Sequence, residues 1–366
     1  MKSINKKIRV AVLFGGKSAE HEVSIQSAKN VVHSLDKNKY ETVLIGIDKQ
    51  GVWHQLQENY LLEASFSHQK SLQDKTEVSL VVKGGNSLVI LSAANSFKNI
   101  DVVFPVLHGP FGEDGTVQGA LQLMNIPYVG PGVLGSAVGM DKDVTKRLLH
   151  ESGIPVAKFL IFRKGDSIDF AILKEKVGLP FFVKATNLGS SVSVNKVHKR
   201  EEFMPALEEA FLYSTKIIIE EAITGREIEI AVLGNEDPIV SLPGEVIPTH
   251  GHEFYDYDAK YLDENGAKLE IPAKLPEKKM KELQELAKKV FQTLCLEGMA
   301  RIDVFLAEDG IFYVNEANTI PGFTSISMYP KMWEVSGISY PELVDRLIQL
   351  AIDRYNREET LRTSLH

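Results

Sequence analysis

One cysteine, Cys295, stands in 366 residues, which excludes an intrachain disulfide framework and fits a reducing compartment. It precedes Leu296 in an apolar helical pattern, a setting for core packing rather than nucleophilic chemistry. Basic residues are not in excess: 41 Lys and Arg against 49 Asp and Glu leave a net charge of −8. That balance argues against a nucleic-acid or anionic-membrane surface, so neither partner is expected. No apolar run approaches the roughly 18 residues of a membrane helix. The N-terminal run Ile8 to Phe14 is too short for a signal peptide, contains Arg9 and ends in Gly-Gly. It reads as a first strand, and the protein is expected in the cytoplasm. Two nucleotide motifs are missing too. Gly15-Gly16-Lys17-Ser18 has the form of a Walker A tail, but the motif's first glycine would fall on Ala11, inside that strand. The dinucleotide fingerprint also fails.

What is present is ordinary globular composition, 44% hydrophobic and 25% charged, over a length that suits two or three domains. The most informative stretch is Gly298 to Ser327. Two β-rich runs, Arg301 to Leu306 and Ile311 to Asn318, flank Asp309-Gly310, a two-residue hairpin signal. Counting outward from that turn pairs Glu308 with Ile311, Phe305 with Val314, Asp303 with Glu316 and Arg301 with Asn318. Arg301, Asp303, Glu316 and Asn318 then share one face. Opposed carboxylates repel. They are tolerable with divalent cations between them, and hard oxygen ligands including an Asn carbonyl suit magnesium or manganese bridging phosphates. A solvated edge is the plainer reading, but Pro321-Gly322 and the hydroxyls of Thr324, Ser325 and Ser327 follow at once and favour the metal.

Earlier in the chain, Ser24 is placed as the N-cap of a helix carrying Ile25, Ala28, Val31, Val32 and Leu35. Glu22 then lies on a strand-to-helix loop, and His108, ending the strand 101–107, lies on the same rim. Gly130-Pro131-Gly132 closes the first unit. A helix over 143–152 and a strand near 156–162 follow. Strands 181–186 and 192–197 bracket Asn187 to Ser191, a loop whose NH groups and hydroxyls can cover phosphates, with Lys142 and Lys184 supplying charge. Residues 216–223 and 226–234 read as two strands of the third unit's interior sheet. The polar, tyrosine-bearing stretch 248–272 reads as an ordered lid. Amphipathic helices are expected over 277–293 and 339–354, with a frayed tail from Arg357.

RIDVFL followed by NEANTIPGFTSIS resembles the C-terminal signature of D-alanine–D-alanine ligases of the ATP-grasp superfamily, and EHEVS, LHG with GEDG, and K-x-x-x-x-GSS match in order along nearly the whole chain. The resemblance implies an α/β ATP-grasp fold with a Rossmann-like parallel-sheet domain (1–130), a central ATP-grasp subdomain (131–222) and a C-terminal one (223–366). It implies ATP-dependent ligation of two D-alanines through D-alanyl phosphate, for peptidoglycan synthesis, with ATP and two Mg2+ or Mn2+, in a homodimer. Carried over by motif, Glu22 meets the first substrate's ammonium, with Ser190 and Tyr261 bonded to it as the lid closes. Arg301 and the Gly322 NH hold the oxyanion. His108 lies near the first carboxylate; Lys260 and Ser327 approach the second. Lys142, Lys184, Ser191, Glu220, Glu221, Ile223, Glu227 and Asn315 are the nucleotide set, and Asp303, Glu316 and Asn318 the metal ligands. One departure appears at Ser193, where many relatives have glycine, and it bears on the flexibility of the covering loop. Two rivals stand beside this reading: a D-alanine–D-lactate ligase, disfavoured by Tyr261 where lactate-type relatives carry His, and a non-catalytic nucleotide binder, disfavoured because no metal ligand is missing.

Overall fold

The computed structural model describes residues 6–57, 60–61, 76–80, 87–90, 97–190, 193–249 and 266–362. The chain begins with β1 (Ile8–Gly15), α1 (His21–Ser34), β2 (Tyr40–Ile47), β3 (Trp53–Leu56), β4 (Thr76–Leu80), β5 (Ser87–Ile90), β6 (Phe97–Asn99) and β7 (Val102–Val106). These strands form one sheet in the order β6-β5-β4-β3-β2-β1-β7. Its core is parallel, β2 and β7 flanking β1, and β3 to β6 extend it antiparallel. Both faces of β1 are buried: Val10, Val12 and Phe14 pack into one core, Ala11 and Leu13 into another. That explains its unbroken apolar run.

Helices α2 (Thr116–Leu123), α3 (Val133–Met140) and α4 (Lys142–Glu151) come next. Asp141 caps α4 by accepting from the backbone of Asp143 (3.0 Å) and Val144 (3.2 Å). The second sheet contains β8 (Phe159–Arg163), then after α5 (Phe170–Val177) β9 (Phe181–Ala185) and β10 (Asn195–Val197), then after α6 (Arg200–Tyr213) β11 (Lys216–Glu221). It runs β10-β9-β11-β8, and Phe170, Phe181 and Phe203 cluster beneath it.

The third sheet holds β12 (Gly225–Gly234), β13 (Ile239–Val240), β14 (Gly244–Pro248), β15 (Ala267–Glu270) and, after α7 (Glu277–Thr293), β16 (Gly298–Ala307) and β17 (Phe312–Asn318). Its order is β15-β14-β12-β16-β17, with β13 beside β12. Leu283, Ala287, Val290 and Phe291 of α7 cover one face over Ile228, Ile230, Ile302 and Val304. Residues Ala231, Leu233 and Met299 face a core shared with α8 (Met328–Val335), α9 (Tyr340–Glu359) and the first sheet. Among the described residues no helix is long and apolar enough to cross a membrane.

Four local expectations are corrected. Ser24 is not a cap: α1 starts at His21, and the buried Ser24 hydroxyl accepts from Gly15 N–H (2.8 Å) and donates to Val106 O, joining the ends of β1 and β7. β11 and β12 belong to different sheets, because the chain crosses between layers at 222–224 instead of folding back as a hairpin. α9 runs to Glu359, past the expected end, with Arg357 pinned by Glu236 and Glu297. Cys295 is exposed: it takes φ 54° just past α7, while Leu294 and Leu296 turn inward.

Candidate active site

The β16–β17 ladder pairs Asp303 with Glu316 and Arg301 with Asn318, as the hairpin count expects. The route there differs. The loop spans three residues, with Ala307 N–H bonded to Ile311 O and Gly310 at φ 79°, so Phe305 pairs with Tyr313 and Val304 with Val314. A bulge at Asn315 then inserts one residue and restores the register. On the other side of β16, Glu229 of β12 pairs with Asp303. Three carboxylates therefore lie in a row across three strands. Arg301 bridges two of them, bidentate to Asp303 (2.8 and 2.7 Å) and 3.1 Å from Glu229. Burial opposes its charge, but Asp303 and Glu229 hold its proton more firmly than usual. Asn318 Nδ2 also donates to Asp303 (2.9 Å).

Glu316 leads into a cavity of 440 Å³ between the second and third sheets, lined by Lys142, Lys146, Lys184, Glu220, Glu221, Ile223, Glu227, Asn315 and Glu316 among others. Seven of the eight nucleotide-set residues thus converge; the eighth, Ser191, lies outside the described residues. Lys142 Nζ lies 3.3 Å from Glu316 and donates to Leu188 O (2.7 Å), so it links the acidic row to the glycine-serine loop. Glu220 is only 3% exposed and sits between Lys184 and Lys146. Burial opposes its ionisation, yet Lys146 and Lys184 hold the carboxyl down to about 2.

At the rim the acidic residue that meets Ser190 is Glu20, whose carboxylate accepts from the Ser190 hydroxyl. Glu22 instead points outward to Lys49 (2.8 Å) with nearly half its side chain exposed. The cause is helix phase: with α1 starting at His21, Glu20 stands at the N-cap position, where its carboxylate makes no cap bond and meets Ser190 instead, while Glu22 lies in the first turn. His108 is buried and both ring nitrogens are engaged, Nδ1 with Ile320 O (3.0 Å) and Nε2 with Ser27 Oγ (3.4 Å). Ser27 Oγ also accepts from Phe323 N–H (3.1 Å), so His108 ties the first unit to the 320–323 loop. Burial lowers its basicity, opposed by Glu20. In the same loop a Cβ at Gly322 would meet Ser327 Oγ at 2.7 Å. Ser327 Oγ contacts Thr324 Oγ1 (2.8 Å) and accepts from Thr324 N–H (3.0 Å). Tyr261 and Lys260 of the expected lid lie outside the described residues, whose flanks are the paired strands β14 and β15.

Glu20, Glu113, Lys146 and Glu229 escape a reading of the sequence. Glu113 accepts from Gly109 N–H (2.6 Å) and Ile320 N–H (3.2 Å), and burial followed by the charge of Glu20 pushes its carboxyl up to about 8. Two of them carried a signal, Glu20 opening EHEVS and Glu113 standing inside GEDG; Lys146 and Glu229 answer to partners remote in sequence. Among the described residues no three His, Cys, Asp or Glu side chains could enclose a metal alone. Two carboxylates and an amide, all oxygen donors beside a lysine-lined cavity, nevertheless fit a magnesium-like ion completed by phosphate and water oxygens.

Comparison with known proteins identifies the family. Residues 9–131 match the D-ala D-ala ligase N-terminus family and residues 148–349 the D-ala D-ala ligase C-terminus family. The D-alanine–D-alanine ligase of Oceanobacillus iheyensis is 51% identical over 98% of this chain and 99% of its own. The solved D-alanine–D-alanine ligase of Coxiella burnetii superposes with a TM-score of 0.87 at 40% identity, covering 96% of each chain. That of Bacillus anthracis, solved in complex with ATP, gives 0.72 at 28% identity over 96% of this chain and 99% of its own. With the acidic hairpin, the lysine cleft and both halves of the family matched in order, this chain belongs to the D-alanine–D-alanine ligase family.

Proposed function

We propose that the chain joins two molecules of D-alanine into D-alanyl-D-alanine while ATP becomes ADP and phosphate. A carboxylate is a poor acyl donor until its oxygen becomes a leaving group. The carboxylate oxygen of the first D-alanine attacks the γ-phosphorus, ADP departs, and D-alanyl phosphate forms. The second D-alanine, its amine deprotonated, attacks the acyl carbon and phosphate leaves.

Lys142 and Lys184 bind the phosphates beneath the 187–191 loop, with Ser191 as a further donor. Glu220, Glu221, Ile223, Glu227 and Asn315 surround the adenosine. Asp303, Glu316 and Asn318 would hold Mg2+ or Mn2+, two ions in the full reading, which neutralise the β- and γ-phosphates when bound. Arg301 and the Gly322 N–H stabilise the tetrahedral oxyanion. Glu20, in the place first given to Glu22, receives the first ammonium with Ser190 and Tyr261. His108 orients the first-substrate loop, and Lys260 and Ser327 lie toward the second carboxylate. The lid excludes water, which would hydrolyse the acyl phosphate. We take the acting species to be a cytoplasmic homodimer of three-unit chains divided near 130 and 222.

The observation that carries the reading is the junction of acidic row and lysine cleft, Lys142 lying 3.3 Å from Glu316 on the wall of one cavity. The test is phosphate release from ATP with D-alanine alone, against D-alanine plus D-lactate, with product analysis. D-alanyl-D-alanine from D-alanine alone supports it. Product only when D-lactate is present replaces it with the depsipeptide reading, and no release in either replaces it with a nucleotide binder.

A further inference from the structure

We infer that Lys146 is a positioning residue: it shares the Glu220 carboxylate with Lys184, so that the Lys184 ammonium remains available to the nucleotide phosphates. This rests on the nucleotide reading of the cavity.

Lys142 and Lys146 stand one turn apart on α4 and both line the cavity, as i and i+4 positions on one helix face do. Lys146 is 1% exposed, and its Nζ lies 2.8 Å from Glu220 Oε2. That contact is an ion pair rather than a well-aligned hydrogen bond, and among the described residues Nζ has no further partner. The other carboxylate oxygen, Oε1, pairs with Lys184 across the sheet. A buried lysine is costly and an apolar chain of similar length would fill the space, so packing alone does not call for an ammonium.

Charge counting gives the reason. Two ammoniums against one carboxylate leave one positive charge at the cavity wall. Without Lys146, Glu220 and Lys184 would cancel, and each nucleotide would have to pull Lys184 from its buried counter-ion. Lys142 cannot take that place, because it is already held by Leu188 O and Glu316. Burial puts Lys146 on the protein side of Glu220, whereas Lys184 is the more exposed of the two, at 12% of its side chain against 1%.

The test is a double-substitution cycle read by steady-state kinetics. Lys146→Met should raise the KM for ATP roughly tenfold, the scale of a weakened charge-assisted contact, while kcat and the KM for D-alanine stay within about twofold. Lys146→Arg should restore most of the ATP affinity. In a Glu220→Gln background, adding Lys146→Met should change the KM for ATP no further. Equal losses in both backgrounds, an unchanged KM in Lys146→Met, or a fall in kcat alone would overturn the inference. Where Lys146→Met lacks a cooperative melt, Lys146→Gln carries the same comparison. Equilibrium binding of a non-hydrolysable ATP analogue should rank the variants identically. That arm reads the inference even if the wild type forms no dipeptide, an outcome that would overturn the ligation reading alone.

Discussion

The Ser190 hydroxyl donates to the Glu20 carboxylate across 170 positions of sequence, bringing the glycine-serine loop onto the start of α1. Ser190 adopts φ 52° there, a left-handed conformation that a serine holds only where its surroundings reward it. Glu22, two residues on, makes a solvent-exposed pair with Lys49.

The two glutamates should separate cleanly on mutation. Glu20→Gln removes the charge that holds Ser190 and receives an ammonium, and charge-assisted hydrogen bonds are worth about 1.5–3 kcal/mol. The kcat/KM for D-alanine should fall roughly 10- to 100-fold. Glu22→Gln loses a surface pair worth about 0–1 kcal/mol and should leave the kinetics level. Phosphate release measured over a D-alanine titration decides between them; a larger loss in Glu22→Gln would return the role to that residue.

Glu316→Gln should abolish nearly all turnover yet leave the fold intact. Glu316 faces Asp303 across the ladder, and removing one of two opposed carboxylates relieves repulsion. Asp303 is the riskier target, because Arg301 and Asn318 both lean on it. Thermal melting without added metal should show the Glu316→Gln midpoint level or raised, while the magnesium-induced shift expected with ATP in the wild type should disappear. Full activity, or a large drop in metal-free stability, counts against a metal role.

What the sequence made legible, and what it hid, follows the range of the forces involved. Helix α7 ends where the apolar period over Glu277 to Thr293 says it should, since local periodicity and burial agree. The Asp303–Glu316 pair was legible although the turn was not: a loop one residue longer and a bulge one residue wide cancel. The separation of β11 from β12 left no mark, because a short crossing between layers uses the same turn residues as a hairpin. Lys146 and Glu229 looked like ordinary charges, and only the third dimension supplies their partners, Glu220 and Arg301; for Glu113, inside GEDG and bonded locally to Gly109, it adds Ile320.

Ser193 offers a stability test at the end of the phosphate-covering loop. It is buried and holds φ 58°, a left-handed conformation costing an L side chain about 1–2 kcal/mol. Ser193→Gly should stabilise the protein by roughly 0.5–1 kcal/mol, the relief being partly offset by the freer unfolded chain. Denaturant melts should show a higher midpoint at unchanged slope, with the KM for ATP within about twofold. A lower midpoint would mean that the serine's contacts outweigh its backbone strain.

Glu113 sets the sign of a pH effect. Its carboxyl is raised to about 8 by burial and then by the charge of Glu20, while in the unfolded chain it titrates near the ordinary glutamate value of about 4.3. The folded state therefore binds this proton more tightly than the unfolded state does. The stabilisation is complete below the unfolded value and is lost as pH rises through about 8, opposite to the behaviour of a salt-bridged carboxylate. The cost falls on a joint, since the same carboxylate accepts from Gly109 in the first unit and from Ile320 beside the oxyanion loop. Between roughly pH 5 and pH 9 the wild-type melting midpoint should fall more steeply than that of Glu113→Gln, whose neutral amide cannot titrate. The two curves should draw apart from roughly pH 4.3 upward, where the unfolded chain gives up this proton and the folded one keeps it, and run parallel once pH passes about 8. Parallel curves across that range would show that Glu113 is ionised throughout and that the two backbone N–H groups outweigh burial and Glu20.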